Sequence, residues 1–153
     1  MEANKAFETA DHLTYVTYPL VNDLKLLLHI VDQLNLALSK GMDALLYYDY
    51  IYKRISNIPN DFNRKLDIFK NHTSRRYGIS RETIVLISDV AEIINKRKEA
   101  PMEFSRKDKY VIAYENYRLK TITLDKVKSY LNEGKGFVKK LNEVLEASDR
   151  RFG

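Results

Sequence analysis

Apolar side chains recur at steps of three and four along almost the whole chain, which is the period of an α-helix viewed from one face. The most regular run passes through Leu24, Leu27, Val31, Leu34, Leu38, Gly41, Leu45, Tyr48, Tyr52 and Ile55 before Pro59. Asn22 or Asp23 is placed to cap its start, and an unbroken helix of that length would extend roughly 50 Å at ~1.5 Å per residue. Leu26, Leu28, Ile30 and Leu36 lie off this seam. The first half is therefore apolar on nearly every side, as in a central helix or a buried subunit contact. Leu45 to Tyr52 is rich in aromatic residues that would also suit a short strand, but the upstream phase continues through it and assigns it to the helix.

The remaining pattern divides at Pro19, Pro59, Gly78 and Pro101. A first helix is predicted over Ala3 to Tyr15, with Phe7, Ala10 and Leu13 on one side. After Pro59, Phe62 to Arg76 reads as a shorter helix that Gly78 is placed to end. Ser80 can cap a helix from Arg81 to about Lys98, with Ile84, Ile87, Ala91 and Ile94 inward and Pro101 closing it. Ser105 followed by Asp108 resembles a capping pair, opening a helix that carries Tyr110, Tyr114 and Tyr117. Thr123 can cap the last helix, where Leu124, Val127, Leu131, Gly134, Val138, Leu141 and Leu145 repeat the same spacing.

No Asn-Gly or Asp-Gly pair announces a hairpin. The expected fold is all-α: one domain over residues 1–153, a bundle of five or six antiparallel helices with two long central ones. Gly41 and Gly134 each sit on the seam of a long helix, so either the two helices approach closely there or each glycine lets its helix bend.

Composition narrows the chemistry. The 153 residues include no cysteine, which excludes disulfides, thiolate metal sites and a thiol nucleophile and fits a reducing, cytoplasmic setting. Glu2, Asn4, Lys5 and Glu8 make the first ten residues unlike a signal peptide. No apolar stretch of ~20 residues is available to span a bilayer, so no membrane partner is expected.

The formal charge of +5 is unevenly distributed, because residues 1–60 hold only five Lys or Arg against seven Asp or Glu. The basic surface belongs to the later helices: Arg75, Arg76 and Arg81; Lys96 to Lys98; Arg106, Lys107 and Lys109; Arg118 and Lys120, interleaved with Tyr77, Tyr110 and Tyr117. Cations neutralise phosphate and exposed tyrosines stack on unpaired bases, a mixture suited to RNA or another polyanion. The same residues also occur on solvated helical faces, and Lys96 to Lys98 is where a helix end attracts cations.

Catalytic motifs are absent. Glu8 with His12 and His29 with Asp32 share helical faces, but no Glu-x-x-His occurs, so neither a metal nor a cofactor is expected. Gly134-Lys135-Gly136 lacks the spacing of a phosphate loop, and no serine is flanked by glycines as in a hydrolase elbow.

The run Ala37 to Tyr52 and the basic helix Arg64 to Arg76 resemble the HEPN superfamily of small helical bundles. That resemblance implies a pattern of antiparallel helices over about residues 1–145. Its ribonuclease members use an Arg followed after four to six residues by His, and other members bind nucleotides or partner nucleotidyltransferases. Here Arg64 and His72 have seven residues between them and no His follows Arg75 or Arg76. The sequence departs from the motif, and Arg64 with His72 is the pair nearest to it.

The function read from the sequence is a non-catalytic interaction protein whose basic surface, Arg75, Arg76, Tyr77, Arg81, Arg106, Lys107, Lys109, Arg118 and Lys120, contacts RNA or another polyanion. The alternatives are a divergent HEPN-like ribonuclease or nucleotidyltransferase partner, and a protein-binding adaptor. In the last, the apolar second helix would also serve self-association.

Overall fold

The structure, a computed structural model, describes residues 1–100, 102–114 and 118–152, with the side chains of 148–152 left aside. Helix α1 (Glu2–His12) runs through one π-helical turn (Leu13–Thr17) into α2 (Tyr18–Val21), and α3 (Leu26–Ile51) follows. A second interrupted helix comprises α4 (Phe62–Ile68), a π-helical turn (Phe69–Thr73) and α5 (Ser74–Arg76). Then come α6 (Arg81–Glu99), strands β1 (Met102–Arg106), β2 (Lys109–Tyr114) and β3 (Arg118–Thr123), and α7 (Leu124–Phe152).

The chain is therefore not all-α. The segment from Ser105 onward, expected to be helical, enters a three-stranded antiparallel sheet in the order β1-β2-β3. Its first hairpin needs no glycine, because Lys107 itself occupies the left-handed region at φ 57° and Arg106 pairs with Lys109 across the two-residue turn. Tyr110 and Tyr114 stand four apart, as a helix would want, yet with Ile112 between them they also alternate as a strand does. Tyr110, Ile112 and, across the ladder, Ile122 are buried in the core, and that burial decides the conformation. Tyr117 and Pro101 lie outside the described residues.

Four long helices make the body. Glu2 reaches Lys40 and Asn4 exchanges amide hydrogen bonds with Asn142 at 3.1 and 3.2 Å, so α1 runs antiparallel to both α3 and α7. Arg97 meets Asp32, and Ser80 and Thr83 reach Glu133 while Lys120 pairs with Glu92, so α6 also opposes both. It follows that α3 and α7 run parallel, across a diagonal of the bundle. The diagonal is short because each helix presents a glycine there: a Cβ on Gly41 would lie 2.7 Å from the Phe137 ring, and one on Gly134 would lie 3.3 Å from Phe7 and 3.5 Å from Leu34. The two glycines thus receive side chains from the facing helices rather than each other's backbone.

Several ends follow the expected chemistry. Ser80 accepts from the Thr83 amide at 3.2 Å, Thr123 accepts from the Lys126 amide at 3.2 Å, and Gly78 takes φ 66° just past α5. Asp61 caps α4 by accepting from the Arg64 amide at 3.2 Å.

The second helix is shorter than its periodicity suggests, 26 residues and so ~39 Å. It stops in a Schellman turn: Lys53 adopts φ 58° and donates to the Tyr50 carbonyl at 3.0 Å, while Arg54 donates to the Asp49 carbonyl at 2.8 Å. Leu28 and Ile30 are buried within the chain's own bundle, leaving Leu36 as the exposed member of the off-seam leucines. Among the described residues no helix is long and apolar enough to cross a membrane.

Candidate polyanion-binding surface

Asp49 is the one ionisable side chain among the described residues that is completely buried, at 0% exposure. It lies on the inward face of the last turns of α3, one helical step beyond Leu45 and Leu46. A lone carboxylate in that position would cost several kcal/mol, so it needs partners. The interrupted helix supplies most of them. Thr73 donates to Oδ2 at 2.7 Å, the Tyr77 hydroxyl donates to Oδ1 at 3.0 Å, and Arg76 Nε lies 3.2 Å from Oδ1.

The Schellman turn supplies another. By bending the chain back at Lys53 it carries Arg54 over the carboxylate, with Nη1 3.6 Å from Oδ1 and donating to the Tyr77 hydroxyl at 3.2 Å. Arg54 also lies over the Tyr52 ring, 5.2 Å from its centroid.

The electrostatic result is a buried anion holding two cations at the surface. Arg54 and Arg76 keep 33% and 37% of their side-chain exposure, so each guanidinium is fixed on one edge and open to solvent on another. Burial, reinforced by the hydrogen bond to Asp49 and the Asp49 charge, pushes the Tyr77 hydroxyl up to about 12, against the opposing pull of Arg54 and Arg76. The fold favours the neutral phenol, so the stability this contributes is whole below pH 10 and is lost as pH rises from 10 towards about 12. Tyr130 is likewise pushed up to about 12, by burial and then by Asp89 and Glu92. An ultraviolet absorbance titration should leave these two phenols largely un-ionised at about pH 11. Asp49→Asn should bring one of them forward.

Around this centre the surface is basic. Lys70, Arg75 and Arg81 are exposed and make no ion pair with a described residue, and Lys140 of α7 reaches to 3.6 Å of the position a Gly78 Cβ would take. Between α4–α5 and α6 runs a groove of about 540 Å³. Leu66, Ile79 and Val85 give it apolar walls, while Lys70, Arg75 and Arg81, with the acid Asp67, line the same space. Tyr47 and Tyr50, 56% and 47% exposed, stand on the outer side of the end of α3, and Tyr48 stacks on Tyr52 with ring centroids 6.4 Å apart.

The nine basic and aromatic candidates divide into two groups. Arg75, Arg76, Tyr77 and Arg81 gather at the start of α6, with Arg76 and Tyr77 engaged by Asp49. Arg106, Lys107, Lys109, Arg118 and Lys120 belong to the sheet, which lies against the later part of α6: Glu92, the partner of Lys120, is eleven positions and so ~16 Å along the helix from Arg81. In the sheet group Lys120 pairs with Glu92 at 3.9 Å, and the other four are exposed. Arg64 and His72 are both exposed, eight positions apart on the interrupted helix, and no hydrogen bond or ion pair joins them. That separation, ~12 Å along a helix, does not bring them to one reacting atom.

Asp49, Arg54 and Thr73 were not singled out from the sequence. The available signal was an acid four residues beyond the seam position Leu45 and next to Tyr48. Among the described residues no group of acids and histidines is arranged to hold a metal ion. Comparisons with protein-family models, curated proteins and solved structures find no match to this chain.

Proposed function

We propose that this chain is a non-catalytic polyanion-binding module that takes RNA on the surface around Asp49. The observation that carries the reading is the buried carboxylate itself. Asp49 fixes Arg54 and Arg76 with part of each guanidinium outward, and three further cations, Lys70, Arg75 and Arg81, line the groove between the same interrupted helix and α6 together with one acid, Asp67. Guanidiniums held in place lose less side-chain entropy on meeting a phosphate than free ones do. The sheet cations stand on a different element, against the later part of α6, and form a second group.

RNA binding measured by gel shift at two salt concentrations tests this. Engaging about four phosphates gives a slope near −3 in log affinity against log salt, so binding should fall by roughly 50-fold between 50 and 200 mM. Arg75→Glu with Arg81→Glu, both exposed and unpaired, should reduce binding at least tenfold at fixed salt with the melting temperature unchanged. Arg106→Glu with Lys109→Glu should reduce it by less than threefold. Equal losses from the two pairs would place the ligand elsewhere, and no binding at low salt would end the reading. Resolving intact from degraded RNA on the same gel reports cleavage directly.

A further inference from the structure

The groove beside Arg75 and Arg81 gives this reading a chemical specificity that charge alone does not. We propose that the groove between α4–α5 and α6 holds an unpaired base of a single-stranded RNA, with the flanking phosphates on Lys70, Arg75 and Arg81. This rests on the polyanion reading above and narrows it to one class of ligand.

Two properties coincide in the space. Part of its wall is aliphatic: Leu66 and Ile79 are half-buried, and Val85 is 51% exposed. An exposed apolar wall by itself attracts any apolar group. Here three cations and one acid, Asp67, stand on the same groove, an excess of positive charge, so the complementary ligand carries an apolar plate and negative charge within one residue's length. An unpaired nucleotide has that composition. A duplex offers the phosphates but keeps its bases stacked inside, and inorganic polyphosphate offers the charge with no base at all. Asn71 and Ser88 also line the groove and can hydrogen-bond a base edge, donating or accepting. The volume, about 540 Å³, lies within the range that encloses a small ligand.

The test is fluorescence anisotropy with three probes of matched charge: a single-stranded RNA of mixed sequence, an RNA duplex of half its length, and inorganic polyphosphate. The single strand should bind at least fivefold more tightly than the duplex. Val85→Asn, which removes the exposed apolar wall without altering charge, and Ser88→Leu, which fills the groove, should each weaken the single strand about five- to tenfold. Both should leave polyphosphate within twofold. Both positions are exposed, so folding should persist, and a circular dichroism melt confirms it.

If all three probes bind alike and neither variant distinguishes them, the base site is overturned while the polyanion reading stands. If none of the three binds, both fall together.

Discussion

Asp49→Ala is expected to destabilise the fold by about 3–5 kcal/mol, because it leaves Arg76, Arg54, Tyr77 and Thr73 facing an empty, buried position. For a chain of this size that corresponds to a fall in melting temperature of roughly 10 °C, read by calorimetry or circular dichroism. A purely structural account stops there. The isosteric Asp49→Asn separates structure from function more finely. The amide keeps one acceptor, which can face either Thr73 or the position that Tyr77, Arg54 and Arg76 share, but it removes the negative charge that holds the arginines and raises the net charge by one. If the basic surface acted only through its total charge, this variant would bind RNA more tightly than the native chain. If the arginines act because the carboxylate holds them in place, it should bind several-fold more weakly at the same salt despite its added charge. The sign of that change is the measurement.

The second large effect concerns the two seam glycines, where the same substitution should have opposite outcomes. Replacing a helical glycine by alanine ordinarily stabilises by about 1 kcal/mol. At Gly134 that gain should survive, since the new Cβ meets Phe7 at 3.3 Å, and Phe7, at 9% exposure, borders solvent and can move by a few tenths of an ångström. At Gly41 the new Cβ would sit 2.7 Å from Phe137, a ring 2% exposed and held edge-on by Phe69 with centroids 6.3 Å apart. A ring buried and held in this way yields less readily, and overpacking of this kind costs about 1–3 kcal/mol, enough to offset or outweigh the propensity gain. Gly41→Ala should therefore lower the midpoint in urea while Gly134→Ala leaves it equal or higher. Gly41→Leu should lose at least about 3 kcal/mol. Combining Gly41→Ala with Phe137→Leu should recover part of the loss. A double-mutant cycle that shows no coupling would place the clash elsewhere.

Much of this architecture was legible because helices announce themselves twice, by period and by ends. Ser80, Thr123 and Gly78 stand where their capping chemistry requires them, and the seam from Leu27 to Leu45 predicts the buried face of α3 position by position. The sheet was illegible for a local reason. Tyr110 and Tyr114 satisfy both periods, and the turn at Lys107 uses a residue that ordinarily avoids positive φ, so neither pattern nor turn chemistry marked a hairpin. What settled the conformation is the burial of Ile112 and Ile122 against helices far away in sequence.

The candidate site was half legible. Clustered arginines are visible in any sequence, and Arg75, Arg76, Tyr77 and Arg81 were found that way. The acid that organises two of the arginines was not, because nothing within the stretch of tyrosines around Asp49 shows that its donors arrive from 24 and 28 residues away. A buried charge is a property of tertiary pairing, and single-helix patterns carry no trace of it.

The π-helical turn at Phe69–Thr73 has a bearing on how this protein could change over generations. It holds one residue more than an α-helix would use, and with that residue in place Phe69, Thr73 and Ser74 all reach the interior. Deleting any one of Lys70, Asn71 or His72 would let the helix close to its ordinary pitch and swing everything downstream by about 100°. Thr73, Arg76 and Tyr77 would then leave the carboxylate together, although none of them had been altered. Substitutions at those three solvent-facing positions should leave the fold and the partners of Asp49 in place, with only the groove contacts of Lys70 and Asn71 at stake, while a loss of length there should be lethal to the site. A deletion scan set beside an alanine scan of the same turn would expose that asymmetry.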